Sequence, residues 1–80
     1  MNNMSHISTI SGAIVQFCSL YNEDIVQIRD ETDKIYVVHL TSEQKKTLGK
    51  RGDKIKIVVE TIHVENLEVN YFAQKLQDES

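Results

Sequence analysis

The stretch VQIRDETDKIYVVHL (Val26–Leu40), continued by TSEQKKTLGK (Thr41–Lys50) and RGDKIKIVV (Arg51–Val59), decides the fold. From Asp24 to Asp30, Val26 and Ile28 alternate with Ile25, Gln27 and Arg29, the two-residue period of a strand. Glu31 to Asp33 then reads as a hairpin loop. In Lys34 to Leu40, Ile35, Val37 and His39 alternate with Tyr36, Val38 and Leu40, so this strand is apolar on both faces and either central or part of a binding face. Thr41-Ser42-Glu43-Gln44 has the form of a capping box, with Glu43 near the positive helix end, Lys45, Lys46 and Lys50 toward the negative end, and Gly49 placed to stop the helix. About eight residues are too few for a helix to stand alone, so Leu48 is expected to plug something. Arg51-Gly52-Asp53 turns the chain into another alternating run, in which Ile55, Ile57 and Val59 oppose Lys54, Lys56 and Val58.

Working outward, Ile7 to Phe17 is apolar and β-branched and reads as the first strand, with Gly12 marking a bulge or sharp bend. Cys18 to Asp24 is expected to form the first loop. The strand from Lys54 continues toward Ile62, His63 to Asn66 turns, and Leu67, Val69 and Tyr71 begin a fifth strand. Phe72 to Leu76 continues as strand or closes as a helical turn. The expected organisation is a flexible end over Met1–His6, one domain over Ile7–Leu76 and a polar tail over 77–80. Five strands with one short helix between the third and fourth make a mainly β chain with the element order of the OB-fold barrel.

Composition limits the functional classes. The chain has 80 residues, 40% apolar and 26% charged, with net charge −3, no proline and a single cysteine. That suits one globular domain without a disulfide framework. The N-terminal residues lack the basic lead of a secretory signal, and no apolar run approaches the ~20 residues of a membrane span, so a cytoplasmic protein with no membrane partner is expected. Six of the nine basic residues (Lys45, Lys46, Lys50, Arg51, Lys54 and Lys56) fall between positions 45 and 56, a basic patch on an acidic body. The plainer reading, and the weightier one, is that these lysines solubilise one helix and one edge strand, with no ligand attached. Catalytic signatures are missing. Cys18 reads as packing, and His6, His39 and His63 lack metal-ligand spacing. The DETD turn is no calcium loop, and there is no phosphate loop or nucleophile elbow. A non-enzymatic module without cofactor is the expectation.

The segment VQIRDETDKIYVV resembles the strand-two to strand-three hairpin of nucleic-acid-binding OB domains, including the anticodon-binding domains of class II aminoacyl-tRNA synthetases. Val26, Ile28, Arg29, Asp30, Thr32, Ile35 and Val37 match its loose pattern, and Asp33 stands where that family favours glycine. GDKIKIVVETIHVENLEV resembles the start of strand four and the return along strand five in the same domains. The resemblance spans about Ile10 to Leu76. It implies a strand 2–3 face that meets single-stranded DNA or RNA through outward-facing Gln27, Arg29, Tyr36 and Val38. Tyr21 and His63 would come from the flanking loops, and Lys54 and Lys56 would add basic contacts. Each has a plainer reading: Arg29 pairing with Asp30 or Glu31, and Tyr36 merely covering the barrel wall. The leading rival is a protein partner on the same face, with Val38 and Ile25 outward in an interface of a larger complex or a homo-oligomer. A second rival comes from HLTSEQKKTLGKRGDKIKIVVETIHV, which faintly resembles the molybdate-binding domains of the TOBE type. That likeness implies an oxyanion held by analogues Thr41, Ser42 and Lys56.

Overall fold

A computed structural model of the chain describes residues 3–64 and 69–74. Five strands and one helix follow the expected order: β1 (Asn3–Leu20), β2 (Glu23–Arg29), β3 (Ile35–Leu40), α1 (Ser42–Leu48), β4 (Lys54–Val64) and β5 (Val69–Ala73). The strands close a barrel in the order β1-β2-β3-β5-β4, all pairings antiparallel except β3 with β5. This mixed five-stranded barrel is compatible with an OB-fold.

The barrel closes because β1 serves two neighbours. Asn3–Ala13 pairs with β4 and Ala13–Leu20 pairs with β2, so Ala13 is shared by Lys54 on one side and Arg29 on the other. Gly12 makes this crossing possible. A Cβ there would lie 2.3 Å from the Arg29 carbonyl oxygen and 2.9 Å from Ile28 Cγ2, closer than atoms can approach. The bulge itself falls three residues later, where the register slips between Ile14 and Gln16. Val15 is the extra residue, and it switches the core-facing parity of β1 from Ile10 and Ile14 to Phe17.

Inside the barrel, Ile10, Ile14, Val26, Ile28, Val38, Leu40, Ile57 and Val59 form one buried cluster, with Leu48 of α1 packed into it. The helix is placed as its sequence suggests. Thr41 Oγ1 accepts from the Gln44 amide at 3.1 Å, and Gln44 Oε1 accepts from the Thr41 amide at 2.8 Å. The Gln44 side chain also does something its sequence position does not announce: Nε2 donates to the Ala73 and Gln74 carbonyls at the end of β5. Past Gly49, the turn into β4 is tied to β1 by backbone bonds from Gly52 to Ile14 and from Ile14 to Asp53.

Four expectations are corrected. The first strand begins at Asn3 rather than Ile7, paired through Val64, so residues 3–6 are not a free end. The expected Cys18–Asp24 loop is instead a two-residue turn at Tyr21 and Asn22, with φ of 51° and 66°. Such a turn matches the right-handed twist of its flanking strands. β4 runs on to Val64, so His63 is a strand residue. The β2–β3 register sets even-numbered residues opposite even, with Val26 facing Val38 and Ile28 facing Tyr36. Val38 is therefore fully buried with Val26, not outward, and Ile25, though on the outward side, is 7% exposed. The expected turn residues Glu65 and Asn66, the start of the fifth strand at Leu67, Leu76 and the polar tail lie outside the described residues.

Replacing Gly12 with alanine should lower the unfolding free energy by about 2–3 kcal/mol, since either β1 or the Arg29 backbone must move. Urea denaturation followed by circular dichroism measures this. A change below ~0.5 kcal/mol would show that the crossing has slack.

Candidate functional site

The outward face of β2 and β3 carries Gln27 and Arg29 from one strand, and Ile35, Val37 and His39 from the other. Ile35 and Val37 are 41% and 40% exposed, large values for aliphatic side chains beside each other on one strand. Gln27 accepts from Gln16 Nε2 across the β1–β2 pair at 2.9 Å. His39 stacks on Phe72 with centroids 4.8 Å apart, and its Nδ1 lies 3.1 Å from Glu23 Oε1. This face is aliphatic and polar in its centre, with its aromatic pair at one end.

Tyr36 does not offer an open stacking face. It packs against the core edge-on to Tyr71, centroids 5.3 Å apart, with Lys34 Nζ 4.8 Å from its ring centroid. Its hydroxyl donates to Asp30 Oδ2 at 3.2 Å. Burial raises the Tyr36 pKa, and the hydrogen bond to the Asp30 carboxylate raises it further.

Asp30 organises the hairpin between β2 and β3. Its Oδ1 accepts from the Thr32 amide at 2.8 Å, the Thr32 hydroxyl at 2.7 Å and the Lys34 amide at 3.1 Å. The Thr32 hydroxyl is the largest cause of a pKa lowered below the ordinary aspartate value, and desolvation opposes it. Asp33 takes the left-handed conformation, φ 70°, that a glycine would otherwise supply, so the turn accommodates the departure noted in the sequence.

The basic residues meet at the end of β2 nearest this hairpin. Arg29, Lys54 and Lys56 line an open groove of about 580 Å³ whose floor is Ser11, Gly12 and Ala13. The register explains the convergence: Lys54 and Arg29 flank Ala13, and Lys56 is opposite Ser11. Among the described residues the ion pairs are His39–Glu23 and Lys45–Asp24; Arg29, Lys54 and Lys56 belong to neither. Asp30 and Glu31 also line the groove; the Asp30 carboxylate is hydrogen-bonded by its own turn, and three cations against two acids leave the groove an excess of one positive charge. The arrangement has cationic arms on two sides and a low floor between them, and suits a phosphate or another anion.

The remaining expected residues are dispersed. Tyr21 is 90% exposed at the β1–β2 turn, beyond the far end of β2 and on the order of 20 Å from Arg29 by strand rise. His63 stacks on His6, centroids 5.7 Å apart, toward the other end of β4 from Lys54. Thr41 and Ser42 line a separate cleft with Glu23, Asp24 and His39, whereas Lys56 lines the groove, so the oxyanion set is not assembled. Ser11 and Ala13 were not singled out by the sequence; the signal was their place in the first strand opposite lysines of the fourth. No protein-family model, curated protein or solved structure matches the chain.

The lowered Asp30 pKa sets a pH dependence. Its stabilising contribution is complete above the ordinary aspartate pKa of 3.8 and is lost as pH falls below that value through the folded-state pKa. The difference in urea midpoint between wild type and Asp30→Asn should therefore shrink on acidification from pH 6 toward pH 2–3, read by circular dichroism. A difference that does not change with pH would remove the charged carboxylate from the account.

Proposed function

We propose that this protein is a non-catalytic binding module for single-stranded nucleic acid, gripping the sugar-phosphate backbone in the groove between Arg29 and Lys54–Lys56. The observation that supports it is the convergence of these three cations, from two strands, on a floor of small residues in a protein of net charge −3. A chain with excess negative charge repels polyanions at long range, so binding must be local and geometrically matched. On the other side of β2 from the groove, Ile35 and Val37 stand in register with Arg29 and Gln27. Their exposed aliphatic surface can take the faces of unstacked bases without reading sequence, in place of the aromatic platform other single-strand binders use. Small β-barrels of this kind bind oligonucleotides across strands 2 and 3.

A protein partner is the second reading, and the exposure of Ile35 and Val37 side by side favours it. The two readings separate by salt. Three phosphate contacts to a single strand predict a slope near −2 for log affinity against log salt, from about −0.7 per contact. An aliphatic interface responds little to salt.

Fluorescence anisotropy with labelled single-stranded DNA and RNA at 20–200 mM salt tests the proposal. Arg29→Ala should weaken binding about tenfold and flatten the slope by about 0.7. Tyr36→Phe should leave binding within about twofold, because that ring faces the core. No binding at the lowest salt, or binding indifferent to both salt and Arg29→Ala, would overturn the nucleic-acid reading.

A further inference from the structure

Resting on that reading, we infer that the groove contains a discrete phosphate subsite directly above Ala13, and that the methyl side chain at this position is what admits the ligand. Ala13 is the one residue paired in register with both Arg29 and Lys54. Two strand spacings separate those residues, about 10 Å between their Cα atoms. Arginine and lysine side chains reach roughly 6–7 Å from the backbone, so both heads are long enough to reach the space above the intervening residue. A phosphate centred there takes the guanidinium from one flank and the ammonium from the other. Lys56, opposite Ser11, supplies a third cation one side-chain repeat along the same face. The Ser11 hydroxyl lies on the groove floor as a neutral donor.

The residue between the cations determines whether this volume exists. Outward side chains on neighbouring strands stand side by side, so a branched side chain at position 13 would rise between Arg29 and Lys54 and fill the space over the floor. It would do so without removing any positive charge. The steric requirement therefore separates a built subsite from diffuse attraction to lysines, which depends on charge alone. The location is also distinct from the strand 2–3 face: the subsite lies across β1, at the crossing that closes the barrel.

The test uses the full chain with Ala13→Leu and Ala13→Ser, each first checked for unchanged circular dichroism and urea midpoint. Ala13→Val takes the place of the leucine variant should that variant not fold, since β-branched residues suit an outward strand position. Two probes are titrated at low salt: labelled oligodeoxythymidine by anisotropy, and sodium tripolyphosphate by amide chemical shifts. Wild type should bind both, with tripolyphosphate shifting the amides of Ser11, Gly12, Ala13 and Arg29. Ala13→Leu should lose about tenfold or more toward both probes, and Ala13→Ser should stay within about threefold. If the oligonucleotide binds but Ala13→Leu binds it equally well, the subsite is wrong while the nucleic-acid reading stands. Should tripolyphosphate bind at these amides in an Ala13-dependent way and the oligonucleotide fail, the subsite stands and the nucleic-acid reading falls. Binding of neither probe overturns both.

Discussion

The contact between Gly12 and the Arg29 carbonyl is the constraint on which the rest of the barrel depends. Only a residue without Cβ lets β1 pass this close to the end of β2. That closeness lets one strand leave β4 and take up β2 within a residue, at Ala13. Without the crossing, β1 would pair with one neighbour only and leave an edge of unpaired backbone groups. The same crossing brings the first residues of β4 beside the last residue of β2. Closure of the barrel and assembly of the basic groove are thus one geometric event.

Much of this was legible because local signals agreed. The Thr41–Gln44 capping box, Gly49 and Leu48 specify a short helix with one buried contact, and the structure contains it. The alternation of Ile55, Ile57 and Val59 with lysines specifies a strand with one dry face. Strand three was harder because both of its faces are apolar, and the assignment of Val38 to the outside was wrong. The remedy lay in the hairpin: with Arg29 outward, the register makes its partner Ile35 outward, and Val37 with it. The β1–β2 connection was misread because Tyr21 and Asn22 hold positive φ without a glycine to advertise it. The groove was invisible for a different reason. Its two sides are separated by about 25 positions in the chain, and only the pairing of β1 with both neighbours sets them together.

The charge pattern reads differently once the register is known. The basic run from Lys45 to Lys56 is not a single patch. Lys45 pairs with Asp24 at the far end of β2, whereas Lys54 and Lys56 join Arg29 at the groove. Asp30 sits next to Arg29 in sequence, yet its carboxylate is held by Thr32, Lys34 and Tyr36. The turn takes Asp30 out of a direct ion pair with Arg29, while its charge, like that of Glu31, still borders the groove. Position in the chain alone suggested an Arg29–Asp30 pair; hydrogen-bond geometry removes it.

The Gln44 side chain has a consequence for how the molecule opens. One amide group completes the helix cap through its oxygen and ties down the Ala73 and Gln74 carbonyls through its nitrogen. Among the described residues, β5 meets β3 through two residue pairs, Val38 with Tyr71 and His39 with Phe72. Strain at that seam reaches the helix cap through Gln44, and unwinding of the helix leaves the end of β5 held by β4 alone, through Ala73 opposite Val59 and the Gln74 amide on the Val58 carbonyl. One side chain thus couples the helix cap to the end of the closing strand, while β5 itself stays anchored to the barrel along β4, from the Val59–Ala73 pair to the His63–Val69 pair.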